Sequence, residues 1–504
     1  MFPSDFVDAI LGSPLKSINY ALFFLGCIVF HSIGTWSLPL IDRDEPRFAE
    51  ASREMIERGD YVVPYFNNQL RLDKPPFAYW AQVTSYRFFG ENDFAARLPS
   101  AIAAALVALT IFIWGSRLPV ASASQATIGD NRVGFWAAVI FTLSLQTFLH
   151  AKAAVADMWL ILFVTIAHWS GFELLRSSIN QASKLKDRTF VWWFSFYLAL
   201  ALGFLAKGPI AWTPLLTVAA IKVFIPEPHL TRRFKFVRGI LLMIAIVSLW
   251  GVPALIRTHG EFFAIGIGRH VIGRSFGAME GHGSNSLGIY LLLVPFYFVT
   301  VFASFFPWSI KLPELVRRIR QNRDETDDYL ILGAAIVFVI FSLVKTKLPH
   351  YTLPAFPLIA LLVARHCCGN GQFFKRCAVV AVCAYFTIAL VVPLFVAKFF
   401  PAHELFTRSH DYLRPEMEFG AVDYQEPSLV WYFRSRAHGF FTPLNRKNAT
   451  DFMSGTGPRF IIVPTQLAGE ILRDPESTWK TFSTNGFNVA KGRQVDLTLV
   501  LKPE

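Results

Sequence analysis

Residues 41–80 read IDRDEPRFAEASREMIERGDYVVPYFNNQLRLDKPPFAYW, and their polarity decides how the rest of the chain is read. The run before them, Ser17 to Leu40, is apolar, and so is most of the chain beyond residue 97. The quoted stretch instead gathers Asp42, Asp44, Glu45, Glu50, Glu54, Asp73 and Lys74 just past a hydrophobic run. A long charged loop placed so early among apolar segments implies a reaction site built at a membrane surface.

The chain has 504 residues, 53% hydrophobic and 17% charged, where soluble domains carry about a quarter charged residues. The apolar content comes in blocks, many long enough for the ~20 residues with which a helix crosses ~30 Å of hydrocarbon. The 50 Phe and 13 Trp suit lipid-facing surfaces and interfacial belts. A net charge of +12 invites a nucleic-acid reading. That reading fails, because the basic residues fall in short loops between apolar runs, with no basic tail and no nucleic-acid signature. Cys27, Cys367, Cys368, Cys377 and Cys383 all lie in or beside apolar runs, and none forms a CxxC pair. The run from Ser17 to Leu40 is too long for a signal-peptide core and reads as a retained anchor.

The pattern predicts an α-helical polytopic membrane protein with about eleven, and up to thirteen, transmembrane helices. The expected spans are 17–38, 98–114, 133–149, 155–175, 190–206, 209–225, 239–256, 287–309, 329–344, 350–364 and 377–399. With the N-terminus in the cytoplasm, the inner loops are 115–132, 176–189, 226–238, 310–328 and 365–376. Their basic residues include Lys184, Lys186, Arg188, Arg232, Arg233, Arg317, Arg318, Lys375 and Arg376, as the positive-inside rule requires. The outer loops are then 39–97, 150–154, 207–208, 257–286, 345–349 and the tail. This divides the chain into a transmembrane domain over 1–399 and a small C-terminal domain over 400–504. The expected location is a bacterial inner membrane, with the first loop and the C-terminal domain on the periplasmic side.

Inside the first outer loop, 39–97, two juxtamembrane helices are expected. Glu45 to Arg58 has helix formers and spaced apolar residues, with Pro46 in the first turn, Asp42 or Asp44 able to cap it and Gly59 to end it. Pro75 to Phe89 is aromatic enough to lie in the interface. In the tail, Arg459 to Val463 and Val495 to Leu501 read as strands and Gln466 to Arg473 as a helix, giving a small α/β domain.

Asp44 and Glu45 head the loop's first helix, where a carboxylate can serve as general base or simply as a cap. Asp157 opens the span after His150-Ala-Lys-Ala-Ala-Val-Ala; it is a second acid, a metal ligand or a span-boundary cap. A divalent metal, held by Asp44 and Asp157 if by anything, is allowed but not demanded. Lys74, Lys207, Arg269, His270, Arg274, Lys345 and Lys347, with Tyr351 beside them, all fall in outer turns. Cations concentrated there oppose the positive-inside tendency, so an anion is expected to compensate them. A phosphate suits several Lys and Arg donors; lipid headgroups or the loop's own acids are the plainer partners. No Gly-rich nucleotide fingerprint, HExxH or nucleophile elbow is present, so a phosphate-bearing donor would enter from the bilayer.

As an ordered series these residues resemble the polyprenyl-phosphate-dependent glycosyltransferases of the GT-C superfamily, in particular the bacterial aminoarabinose lipid A transferase and protein-mannosyltransferase relatives. The series runs Asp44-Glu-Pro-Arg-Phe-Ala-Glu, Asp73-Lys-Pro-Pro-Phe-Ala-Tyr-Trp, Ala-Lys-Ala-Ala-Val-Ala-Asp157, Ala-Lys207-Gly-Pro, the loop from Glu261 to Arg274, and Lys345-Thr-Lys-Leu-Pro-His-Tyr351. It covers about residues 20–365, and Asp423 to Phe433 also looks familial. The resemblance implies an inverting enzyme that takes a sugar from undecaprenyl phosphate. The acceptor would be lipid A, another envelope glycolipid or, on the mannosyltransferase side, a protein. It implies Asp44 as base or acceptor-orienting group, Asp157 as second acid, and Lys74, Lys207, Arg269, His270, Lys345 and Tyr351 near the lipid phosphate. The chain departs in having Asp73 before the first-loop lysine, where those relatives often have Glu, and in its compact tail. A transporter or lipid flippase is the rival from another class. The charges sit at span ends rather than mid-membrane and no inverted repeat is visible, which counts against it.

Overall fold

The computed structural model describes residues 15–121, 131–179, 188–224, 231–273, 286–367, 371–471 and 478–504. Lys184, Lys186, Arg274 and Cys368 lie outside them. Helices dominate. The principal ones are α1 (Ser17–Ser32), α2 (Asp44–Arg58), α3 (Phe77–Phe89), α4 (Asp93–Gly115), α5 (Arg132–Thr142), α6 (Leu145–Ala151), α7 (Asp157–Ile179), α8 (Thr189–Lys207), α9 (Thr213–Phe224), α10 (Phe236–Arg257), α11 (Leu287–Leu293), α12 (Phe296–Ser304), α13 (Glu325–Leu343), α14 (Phe356–Cys367), α15 (Gly371–Leu390), α16 (Pro427–Phe433) and α17 (Thr465–Ile471). The chain forms two compact units. One comprises Met1–Ser32, Leu72–Ala78 and Pro99–Tyr385; the other comprises Ile33–Arg71, Tyr79–Leu98 and Phe386–Glu504.

Among the described residues, six helices are long and apolar enough to cross a membrane, or up to eight if each of two bent pairs is one span. Each of the eleven expected segments overlaps helix, but residues 33–38 of the first are turn and not all are straight spans. α5 and α6 meet at 68° and α11 and α12 at 41°. Pro295, which lacks an amide hydrogen, stands at the second bend. The segment expected over 350–364 begins as a 3₁₀ turn, Pro349–Ala355, with Pro349 and Pro354 in it, before the fully buried α14. In the first unit α7 has 83% of its apolar window buried against 22% for the span ending in α10, so α7 is central and α10 turns its side chains outward. Gly203 lets α8 come close: a Cβ there would meet the Cβ of Ala211 at 2.7 Å and that of Phe163, on α7, at 3.3 Å. Small residues at such crossings are the usual means of tight helix packing in lipid.

The second unit holds a five-stranded sheet. Its strands are β3 (Glu418–Val422), β4 (Phe441–Leu444), β5 (Arg459–Pro464), β6 (Lys480–Asn488) and β7 (Arg493–Lys502), in the order β4-β3-β5-β7-β6. β3 runs parallel to β4 and β5, while β7 is antiparallel to β5 and β6. A two-stranded hairpin, β1 (Tyr65–Phe66) and β2 (Gln69–Leu70), precedes it in the first loop. The expected strands at 459 and 495 and the helix at 466 are present; β3, β4 and β6 add to them.

Both expected first-loop helices are present as α2 and α3, and Gly59 ends α2 in the left-handed conformation. In the packing, most of the first loop belongs with the tail. Buried charge joins them. Glu50 is fully buried, pairs with Arg53 at 2.8 Å and accepts from the Arg434 guanidinium, which also reaches Glu57 at 2.8 Å. Arg53 lies over the Trp431 ring at 4.0 Å, and Asp93 accepts from Trp431 Nε1 and the Tyr432 hydroxyl, both at 2.8 Å. The Asn67 amide makes two 2.8 Å bonds to the Phe441 backbone at the edge of β4. The α3 aromatics are thus only partly interfacial: Tyr79 and Tyr86 are buried, while Phe88 and Phe89 are exposed.

Removing one partner of a buried ion pair strands the other charge, at a cost of roughly 3–5 kcal/mol. Arg434→Met is therefore expected to lower the thermal unfolding midpoint of the detergent-purified protein clearly. The double variant Glu50→Gln/Arg434→Met should recover much of the loss, read in the same melts.

Candidate active site

The first unit contains a cavity of about 670 Å³. Its walls are largely apolar, with Leu215, Leu216, Val247, Trp250, Phe262 and Phe341 among them. Asp73, Lys74, Asp157, Lys207, His350 and Tyr351 line it too.

Each polar group arrives by a definable local device. Asp157 is the first residue of α7, where the helix dipole favours a carboxylate. The turn before it is tied down by Lys152, whose Nζ donates to the carbonyls of Phe30 (3.1 Å) and His31 (2.9 Å) at the end of α1. Lys207 is the last residue of α8, and Gly208, at φ 81°, takes a conformation that disfavours any side chain and so stops the helix there. His350 and Tyr351 stand on the 3₁₀ turn.

Lys207 Nζ lies 2.5 Å from Asp157 Oδ1, and His350 Nε2 lies 4.0 Å from the same oxygen. The Tyr351 ring is 5.9 Å from Lys207 Nζ and packs at a centroid distance of 5.1 Å from His350. Behind them, the His150 and His350 rings are 4.7 Å apart. An arrangement of this kind holds an ammonium ready beside an apolar chamber, where it can stabilise an anionic oxygen far more than in water.

Of the residues expected to bind phosphate, the cavity collects Lys74, Lys207 and Tyr351. Lys345 is half-buried and Arg269 exposed, and neither lines the cavity. The His270 side chain lies outside the described residues. Lys347 is committed elsewhere: it is buried, and its Nζ donates to the carbonyls of Phe341 (2.9 Å) and Ser342 (2.6 Å), capping the end of α13. Sequence reasoning misses His150 and His350, although each stands in a quoted motif, seven residues before Asp157 and next to Tyr351.

The two expected acids of the first loop lie in the second unit and behave differently. Glu45 is buried, and both of its oxygens bond Arg97, at 2.9 and 2.7 Å, which ties down the helix start. Arg97 also ties the carbonyls of Thr35 and Pro39. Asp44 is exposed, with no side-chain hydrogen bond or ion pair among the described residues. No side chain caps α2, contrary to the expectation for Asp42 or Asp44. Asp42 instead accepts from Ser428, at 2.9 Å from the amide and 2.5 Å from the hydroxyl. Burial pushes the Asp42 carboxyl up to about 7, with Glu426 adding to the rise and the Ser428 bonds and Arg47 opposing it.

Residues 73–251 match the family model for dolichyl-phosphate-mannose-protein mannosyltransferase, a segment that includes Lys74, Asp157 and Lys207. The chain is 29% identical over 408 residues to the undecaprenyl phosphate-alpha-4-amino-4-deoxy-L-arabinose arabinosyl transferase of Erwinia tasmaniensis, covering 78% of this chain and 68% of that one. It is 28% identical over 397 residues to the protein of that name from Aeromonas hydrophila, covering 76% and 66%. The chain thus spans about two-thirds of the length of these curated relatives. In fold it is similar to ArnT from Cupriavidus metallidurans bound to undecaprenyl phosphate, with a TM-score of 0.71 at 18% identity, covering 96% of this chain and 98% of that one.

The Asp42 carboxyl, ordinarily near 3.8, is raised in the folded protein. Its contribution to stability is therefore present at low pH and lost as pH rises through about 7. Between about pH 5 and about pH 8 the melting temperature should fall more steeply in the wild type than in Asp42→Asn, in thermal melts across that range.

Proposed function

We propose that this chain, a member of the GT-C superfamily of membrane glycosyltransferases by its matched segment and its fold, is an inverting enzyme that transfers a sugar from undecaprenyl phosphate. The acceptor we infer is lipid A or another envelope glycolipid. The observation that carries this reading is the cavity itself, which pairs apolar walls suited to a polyprenyl chain with Lys74, Lys207 and Tyr351 for its phosphate. Similarity to the aminoarabinose transferases supports the donor class.

In the proposed reaction an acceptor hydroxyl attacks the anomeric carbon while the bond to the lipid phosphate breaks. The proton passes to a base, and negative charge builds on the departing phosphate. Lys207, held by Asp157 at 2.5 Å, is placed to meet that charge, with Lys74 assisting. Asp44 is the proposed base; the motif series and its exposed, uncommitted carboxylate support it. Arg269, His270 and Lys345 join the phosphate contacts on the motif series alone. We further propose about eleven spans, and up to thirteen, in a bacterial inner membrane, with the first loop and tail on the periplasmic side; the basic inner loops support this. The match to the mannosyltransferase family favours a second acceptor class, a protein hydroxyl.

The test is a reconstituted assay with a panel of undecaprenyl-phosphate sugars, following products on lipid A and on peptides by mass spectrometry. Wild type should transfer one sugar. Asp44→Asn should lose about 10²–10⁴-fold in turnover, as removal of a general base does. Lys207→Met should lose turnover while still melting cooperatively, at a lowered temperature because Asp157 loses its partner. Full activity in Asp44→Asn removes it as base, and transfer to peptide alone selects the second acceptor class.

A further inference from the structure

We propose that His150, Asp157 and His350 form a binding site for a divalent transition-metal ion of the zinc class. Each residue offers one ligand atom, and the three atoms lie within 4.8 Å of one another. They come from three separate elements: His150 from the end of α6, Asp157 from the first turn of α7 and His350 from the 3₁₀ turn. Ligands about 2.0–2.2 Å from a tetrahedral ion stand roughly 3.4 Å apart. The three atoms therefore need to close by at most about 1.4 Å, a side-chain movement that leaves the helices in place.

The donor set selects the ion. Two imidazoles and one carboxylate suit zinc, iron, cobalt or nickel, and match neither the all-oxygen shell of calcium nor the preference of magnesium. The set also carries an outer support, because Gln146 Nε2 lies 3.0 Å from His150 Nδ1. Coordination through His150 Nε2 puts a proton on Nδ1, and Gln146 then turns its amide oxygen to accept it, which fixes the ring. Asp157 and His350 line the cavity, so a fourth position facing it would take an anionic oxygen or water.

Lys207 sets the affinity. Its ammonium is 2.5 Å from Asp157 Oδ1, so an incoming ion must share the carboxylate with a cation. Metal binding is therefore moderate in the wild type and stronger where the ammonium is removed. The site stands on these side chains and not on the transferase reading.

The full chain, purified with a metal-independent affinity tag and stripped with chelator, is titrated with Co²⁺ and Zn²⁺. Co²⁺ occupancy is read by visible absorption and Zn²⁺ by elemental analysis after dialysis. The expected result is one equivalent per chain at micromolar free ion, weakened at least tenfold in His150→Ala and in His350→Ala and tightened in Lys207→Met. Gln146→Leu, a milder change that keeps all three ligands, should weaken binding about tenfold. Thermal melts identify any misfolded variant. No retained metal in the wild type, or equal retention in the wild type and both folded histidine variants, overturns the site. Because no donor or acceptor is present, either outcome is independent of whether transfer occurs.

Discussion

The charge pair between Asp157 and Lys207, 2.5 Å apart at the first residue of α7 and the last of α8, is the contact on which the first unit's chemistry depends. Two antiparallel helices can slide past one another by a turn with little change in apolar contact. A buried ion pair at their shared end cannot slide, because displacing either partner leaves a charge without compensation. The pair thus fixes the register in which Gly203 admits close packing and Gly208 turns the chain away. It also keeps an ammonium at a largely apolar cavity without the full cost of an isolated charge there.

The second unit solves a related problem in a more polar setting. Its first-loop helix α2 carries four glutamates along its length, and three of them, Glu45, Glu50 and Glu54, are buried. That would be ruinous for an isolated helix. Arg97, Arg53, Arg58 and Arg434 answer them from α4, α2 itself and the end of α16. Arg434, in the tail, needs the loop's Glu50, and Glu50, in the loop, needs the tail's Arg434, so neither segment can satisfy its charges alone. This is why the unit joins stretches more than 300 residues apart in sequence. Within Asp423 to Phe433, α16 is buried over its whole length and delivers Ser428, Trp431 and Tyr432 to the loop's acids.

How much of this was legible depends on the physical quantity behind each signal. Apolar periodicity found the helices and the two loop helices, since burial and lipid exposure both write themselves into composition. Bends were harder, because Pro295 marks one and no proline marks the break at Ser144. In the tail, β5 and β7 were visible as apolar runs. β6, an edge strand with alternating polar residues, and the short β3 and β4 had no such contrast. At the site, the series of cationic turns pointed to Lys74, Lys207 and Tyr351. Spacing in sequence could not tell these from Lys347, whose ammonium is spent on the carbonyls at the end of α13. Nor could it tell Asp44, which is exposed, from Glu45, which is locked to Arg97.

The same limit explains the histidines. His150 and His350 are 200 residues apart and come together only because α6 is bent away from α5 and Pro349 opens a tight turn. Either feature straightened into a regular span would carry its histidine along a helix and away from Asp157. These two departures from ideal membrane helices therefore fall where the cavity's polar groups are assembled. Irregular backbone is tolerated at membrane depth when it is buried in protein or lines a chamber, and the 3₁₀ turn that carries His350 and Tyr351 does line one.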